Sequence, residues 1–120
     1  MDIVKDFMST PVLSVDVNAP VEEAAKIMQE KSVSCLLVKE NEDHIGLITT
    51  TDLVKKVMAK GLDAKATKCN DVMSKPVLSI NHYLTRSDAN LMMQRNQIKH
   101  LAVTDQKTVI GILTPKDMIA

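Results

Sequence analysis

Shifted by 65 positions, the sequence lies over itself without a gap: residues 6–55 match residues 71–120 with 16 identities in 50 pairs. No other feature narrows the possible folds as much. Asp6-Phe7-Met8-Ser9-Thr10-Pro11-Val12-Leu13-Ser14 returns as Asp71-Val72-Met73-Ser74-Lys75-Pro76-Val77-Leu78-Ser79, and Gly46-Leu47-Ile48-Thr49-Thr50-Thr51-Asp52 returns as Gly111-Ile112-Leu113-Thr114-Pro115-Lys116-Asp117. A repeat of this length is one supersecondary unit that buries its apolar face against a copy of itself. The chain therefore divides into a first repeat, 1–65, and a second, 66–120, with a linker at about 61–69.

Within each repeat the element order reads strand, helix, strand, strand, helix. Pro11–Val15 is expected as a short strand, with Pro11 at its start because it lacks a donor. Pro20 opens a helix whose Val21, Ala24, Ala25 and Met28 share one face, with Glu22 and Glu23 at its positive end. Cys35–Val38 and Ile45–Thr49 flank a polar turn and form a hairpin. A second helix carries Leu53, Val54, Val57 and Met58 at helical spacing and stops at Lys60-Gly61. The second repeat follows the same order. Thr85 and Asp88 form a capping box, His100–Thr104 and Val109–Thr114 form the hairpin, and Thr114 caps with Pro115 at the first helical position. The first repeat's last helix maps beyond Ala120, so the last helix is a stub or the chain is shortened. The fold class is α/β of the α+β kind: two βαββα repeats related by a pseudo-twofold axis, sheets packed against each other and helices outside.

Thr49 with Asp52, and Thr114 with Asp117, fall where a strand runs into a helix start. Four backbone N–H groups lack partners there and the helix dipole is positive, so an anion is attracted. Ser/Thr-x-x-Asp is equally an ordinary capping box; the repetition is what favours a site.

Other classes are excluded on composition. Formal charge is zero, and Arg86 and Arg95 are the only arginines. Phe7 and Tyr83 are the only aromatics, so both the basic stripe and the stacking platforms of nucleic-acid binding are missing. Apolar runs are too short to span a membrane, and the acidic start is unlike a signal peptide. Cys35 and Cys69 form no CxxC, which suits a cytoplasmic chain with reduced thiols. Cys35 reads as a small core residue, and Cys69, near the linker, has no assigned role. His44 reads as a solvated turn residue and Lys55-Lys56 as a solvated helix face. No histidine shares a metal-ligand spacing with the cysteines. No nucleophile is paired with a base, so neither a metal site nor a catalytic residue is expected.

The duplicated Met-Ser-x-Pro-Val-Leu-Ser opening and Gly-h-h-Thr-x-x-Asp close resemble a tandem pair of cystathionine-beta-synthase (CBS) domains, the Bateman module, over essentially the whole chain. The resemblance implies a regulatory module, not an enzyme. It would bind an adenosyl ligand (AMP, ADP, ATP or S-adenosylmethionine) in clefts between the repeats, require no cofactor, and pair into homodimers. With no catalytic or DNA-binding domain fused here, the regulated protein would be a separate chain. A ligand-free interaction scaffold is the alternative.

Residue by residue, the resemblance gives Thr49 and Thr114 to phosphate and Asp52 and Asp117 to ribose hydroxyls. Thr10 to Val12 and Lys75 to Val77 would offer a backbone edge to the base. Ser34 and Cys35, with Lys99 and His100, would line the cleft at the start of the middle strand. Family sites that bind phosphate often carry a basic residue before the aspartate: Lys116 holds that place in the second copy, Thr51 in the first. With Lys75, Lys99 and His100 also grouped there, the second cleft is expected to prefer the more anionic ligand.

Overall fold

The computed structural model describes residues 2–118. Two compact units emerge, and they do not follow the repeat boundaries: one comprises residues 13–77, the other residues 1–12 together with 78–120.

In the unit of residues 13–77, β1 (Ser14–Asp16) runs parallel to β2 (Cys35–Glu40), which pairs antiparallel with β3 (Asp43–Thr49) in a sheet of order β1-β2-β3. Helix α1 (Val21–Lys31) crosses from β1 to β2. Its apolar face is buried through Val21, Ala24 and Met28, and Pro20 stands at its N-cap, where a missing N–H costs little. After β3, one α-helical turn, α2 (Thr50–Asp52), passes directly into a π-helical segment, Leu53–Met58. A short helix, α3 (Cys69–Val72), completes the unit. The core gathers Val15, Val21, Ala24, Met28, Leu36, Val38, Ile48, Val57, Cys69, Val72 and Met73. Each large apolar side chain so buried contributes roughly 1.5–3 kcal/mol.

The other unit repeats the plan. β4 (Ser79–Asn81) is parallel to β5 (Leu101–Asp105), which is antiparallel to β6 (Thr108–Leu113). Helix α4 (Arg86–Asn96) starts on the expected capping box of Thr85 and Asp88. The register shift at Val38/Lys39 recurs at the equivalent Val103/Thr104, so the duplication extends to a backbone irregularity. Val4, Ile80, Ala89, Met93, Leu101, Val103 and Leu113 form its core, with Phe7 and Met8 packed against it. A 3-10 turn, Pro115–Met118, follows β6; the remainder of the expected last helix, residues 119–120, lies outside the described residues.

The opening segments explain the division of the chain. Ser9 pairs with Ile112 on β6, and Ser74 pairs with Leu47 on β3. Each repeat's opening thus packs on the closing strand of the other repeat. Gly46 and Gly111 exist for this packing. A Cβ on Gly46 would stand 2.5 Å from Met73 Sδ, and one on Gly111 would press on Met8 Sδ in the same way.

Several expectations are corrected in detail. The first strand begins at Ser14 and leaves Pro11–Leu13 outside it. The helix after β3 ends at Met58 and is mostly π, and of its expected apolar face Val54 and Met58 are exposed. Cys69 is not a linker residue but a fully buried core residue of α3. His44 stands half-buried in β3 rather than in a turn.

Candidate functional site

Where β3 meets α2, Thr49 has extended backbone angles and caps the helix. Its hydroxyl oxygen accepts from the Asp52 N–H at 3.1 Å. Asp52 Oδ2 accepts in return from the Thr49 N–H at 3.0 Å and from its hydroxyl at 3.1 Å. These bonds satisfy donors that a helix start leaves orphaned. They also hold the carboxylate in place, 7% exposed, the one charged residue buried among those described. Asp52 Oδ1 is engaged differently: Lys56 Nζ lies 3.1 Å from it, and the same ammonium donates to the Val72 carbonyl at 3.0 Å. Ser34 and Cys35 border this corner. The Ser34 carbonyl accepts from the Thr50 N–H, and Cys35 faces Thr49 across the β2–β3 ladder. Burial pushes the Cys35 thiol up to about 11, so it is a neutral group, not a nucleophile.

The corresponding corner after β6 is built more loosely. Asp117 Oδ2 accepts from the Thr114 N–H at 2.9 Å and its hydroxyl at 3.3 Å, while the Asp117 N–H donates to the Thr114 carbonyl. Among the described residues only Oδ2 of Asp117 is engaged, and the residue is half-buried. Arg86 braces the corner from the first turn of α4. Its guanidinium reaches the Asp117 carbonyl at 3.4 Å, pairs with Asp2 at 3.0 Å and lies 3.8 Å above the Phe7 ring. The first repeat has Val21 at the equivalent place. Lys116 is exposed. Lys99 and Pro115 line an open hollow of about 420 Å³ with Met93, Gln94, Ile98 and Met118; neither Thr114 nor Asp117 lines it. His100 precedes β5 and is half-buried.

The exchange of openings redistributes the expected site residues. Thr10 and Val12 belong to the compact unit that holds Thr114, Lys116, Asp117, Lys99 and His100; Lys75 and Val77 belong to the unit that holds Thr49, Asp52, Ser34 and Cys35. Grouping by repeat places each opening with the wrong corner. A repeat reveals which segments are equivalent, not which ones touch. Lys56 was missed as well, read as part of a solvated face. Its signal was present: an acid four residues before a lysine on one helix. Among the described residues no group of three or more His, Cys, Asp or Glu is placed to hold a metal ion, and no helix is long and apolar enough to cross a membrane.

The family model of the CBS domain matches the chain twice, over residues 4–59 and 69–120. The chain belongs to the CBS domain family. It is 33% identical over 118 residues to the CBS domain-containing protein YhcV of Bacillus subtilis, covering 98% of this chain and 84% of that protein. It spans only 16% and 59% of two further curated relatives, one from Schizosaccharomyces pombe and one from Methanocaldococcus jannaschii. Among solved structures, a putative signal-transduction protein with CBS domains from Burkholderia ambifaria superposes with a TM-score of 0.90 at 26% identity, over 97% of this chain and 90% of that one. The CBS domain pair of protein MJ0100, solved in complex with 5′-methylthioadenosine and S-adenosyl-L-methionine, superposes with a TM-score of 0.86 at 25% identity, over 98% and 93%. The fold is therefore that of a CBS pair.

Proposed function

We propose that this CBS pair is a cytoplasmic sensor of an adenosyl compound and passes its bound state to a separate protein, with no catalytic step of its own. The observation that carries the reading is the pair of Thr/Asp corners. Each holds a carboxylate at a helix start, beside a threonine hydroxyl and a strand edge. A carboxylate accepts hydrogen bonds from two vicinal ribose hydroxyls, and a threonine hydroxyl, rotated away from the carboxylate it donates to here, donates to a phosphate oxygen. The adenosyl ligands named for the MJ0100 pair support the ligand class. With openings assigned by compact unit, Asp117 keeps Lys116, Lys99 and His100 in its unit, so the more anionic ligand is assigned to that corner. Asp52 has Lys75 in its unit, with Ser34 and Cys35 beside it. Pairing into homodimers is part of the reading, supported by Val54 and Met58, which stand 60% and 80% exposed in the π-helical segment.

The competing reading is a ligand-free scaffold, favoured by one observation: both carboxylate oxygens of Asp52 already have partners within the fold. A thermal-shift series with AMP, ATP, S-adenosylmethionine and 5′-methylthioadenosine separates the two. A ligand at a hundred times its dissociation constant adds roughly 2.7 kcal/mol to the folded state. For a domain of this size that raises the melting temperature by several degrees. Titration calorimetry of Asp52→Ala and Asp117→Ala then assigns the corners. Loss of AMP binding is expected mainly in Asp117→Ala. An unchanged melting temperature with every compound would leave the scaffold.

A further inference from the structure

The sensing reading leaves one side chain unaccounted for, and the inference rests on that reading. We infer that Lys56 is a latch on Asp52: it occupies the oxygen a ribose diol needs, and binding at this corner requires its ammonium to swing away. Oδ2 of Asp52 is committed to the helix cap, taking two donors from Thr49. Giving up the bond from the Thr49 N–H would break half of the capping box and leave that donor unpaired. Oδ1 is held by Lys56 at 3.1 Å. Of these partners Lys56 is the one free to move: its side chain is 43% exposed, against 10% for Asp52, and sits on a flexible four-carbon stem.

Each carboxylate oxygen accepts about two hydrogen bonds. Oδ2 has both from Thr49 and Oδ1 has one from Lys56, so a diol that donates twice competes with the ammonium for Oδ1. The ammonium also has somewhere to stay. It keeps its bond to the Val72 carbonyl at 3.0 Å while releasing the carboxylate. Val72 ends α3, and the next residue, Met73, lies on Gly46. Lys56 thus ties together the corner, the π-helical segment and the exchanged opening. Releasing the latch cuts the Asp52–Lys56–Val72 connection between the corner and that opening.

The test uses the full chain in an Asp117→Ala background, so that calorimetry reads the Asp52 corner alone. Adenosine is the probe, because it is neutral and carries the diol. Adding Lys56→Met is expected to tighten adenosine binding by up to roughly fivefold, the upper end of what a single surface ion pair contributes. Binding seen only after that substitution has the same meaning. 2′-Deoxyadenosine, which lacks the diol, is expected to show no gain. Raising salt from about 50 to about 500 mM partly screens a half-exposed ammonium. It should therefore tighten adenosine in the lysine form and leave the methionine form unchanged. Lys56→Gln serves as a second uncharged variant, and Lys56→Arg, which keeps the charge, should keep the weaker affinity.

Equal or weaker adenosine binding in both uncharged variants overturns the latch while the sensor stands. A selective loss of AMP in them would make Lys56 a phosphate ligand instead. If the unmutated chain and every folded variant bind no adenosyl compound, the sensing reading itself fails and takes the latch with it.

Discussion

The thiols of Cys35 and Cys69 are each pushed up to about 11 from an ordinary 9.0. Burial is the cause for Cys35, and the leading cause for Cys69, with Glu23 and Asp16 adding to it. Between pH 9 and 11 the unfolded chain has lost thiol protons that the folded chain keeps. Stability must then fall as pH rises through that window, because the folded state binds more protons. Urea melts at pH 8 and pH 10.5 should show the midpoint dropping. The drop should be shallower in a Cys35→Ala/Cys69→Ala double variant, whatever that variant's absolute stability. A thiol reagent at pH 8 should react slowly with the native protein and fast in urea. The burial of Cys35 was legible from its apolar neighbours. That of Cys69 was not, because polar residues surround it in sequence and its burial arises from α3, a helix too short to show a period.

Among the elements, those with a repeating apolar face or an explicit cap were the readable ones. α1 announced itself by Val21, Ala24 and Met28, although Ala25, expected on the same face, is exposed, and α4 by the Thr85–Asp88 box. The hairpins were marked by apolar runs around polar turns. What escaped was set by packing rather than by local preference: the late start of β1 at Ser14, the short helix α3, and the π-helical winding of Leu53–Met58. The stops of α1 and α4 were equally silent. Both end on a left-handed residue that is not glycine, Ser32 and Gln97, whose N–H groups return to the last turn. Gly46 and Gly111 were visible as repeated letters, but their reason is a neighbouring element. Gly46→Ala must push Met73 aside or bend β3, and a crowded core of this kind loses about 1–3 kcal/mol. Adding Met73→Ala should recover part of that loss, although Met73→Ala alone is destabilising through the cavity it leaves. Urea melts of the two single variants and the double variant measure the coupling directly.

For the molecule as a whole, the duplication predicts which residues are equivalent, and the exchange of openings decides which are partners. The two candidate corners were legible because Thr-x-x-Asp occurs twice in register. Their surroundings were not, since Thr10, Val12, Lys75 and Val77 are assigned by contact and not by sequence order. Fragments expose the difference. Residues 13–77 contain a complete core and should melt cooperatively in urea by circular dichroism, as many domains of about 65 residues do. Residues 1–65 and 66–120, cut at the repeat boundary, each lose the opening their closing strand needs and should show no cooperative transition on their own.

Met8 on Gly111 and Met73 on Gly46 also govern how the sequence is free to drift. A bulkier or smaller residue inherited at position 8 is answered at position 111, more than a hundred residues away in sequence. Each half is thus the template against which the other's mutations are accepted, and a family of such chains should vary in crossed pairs.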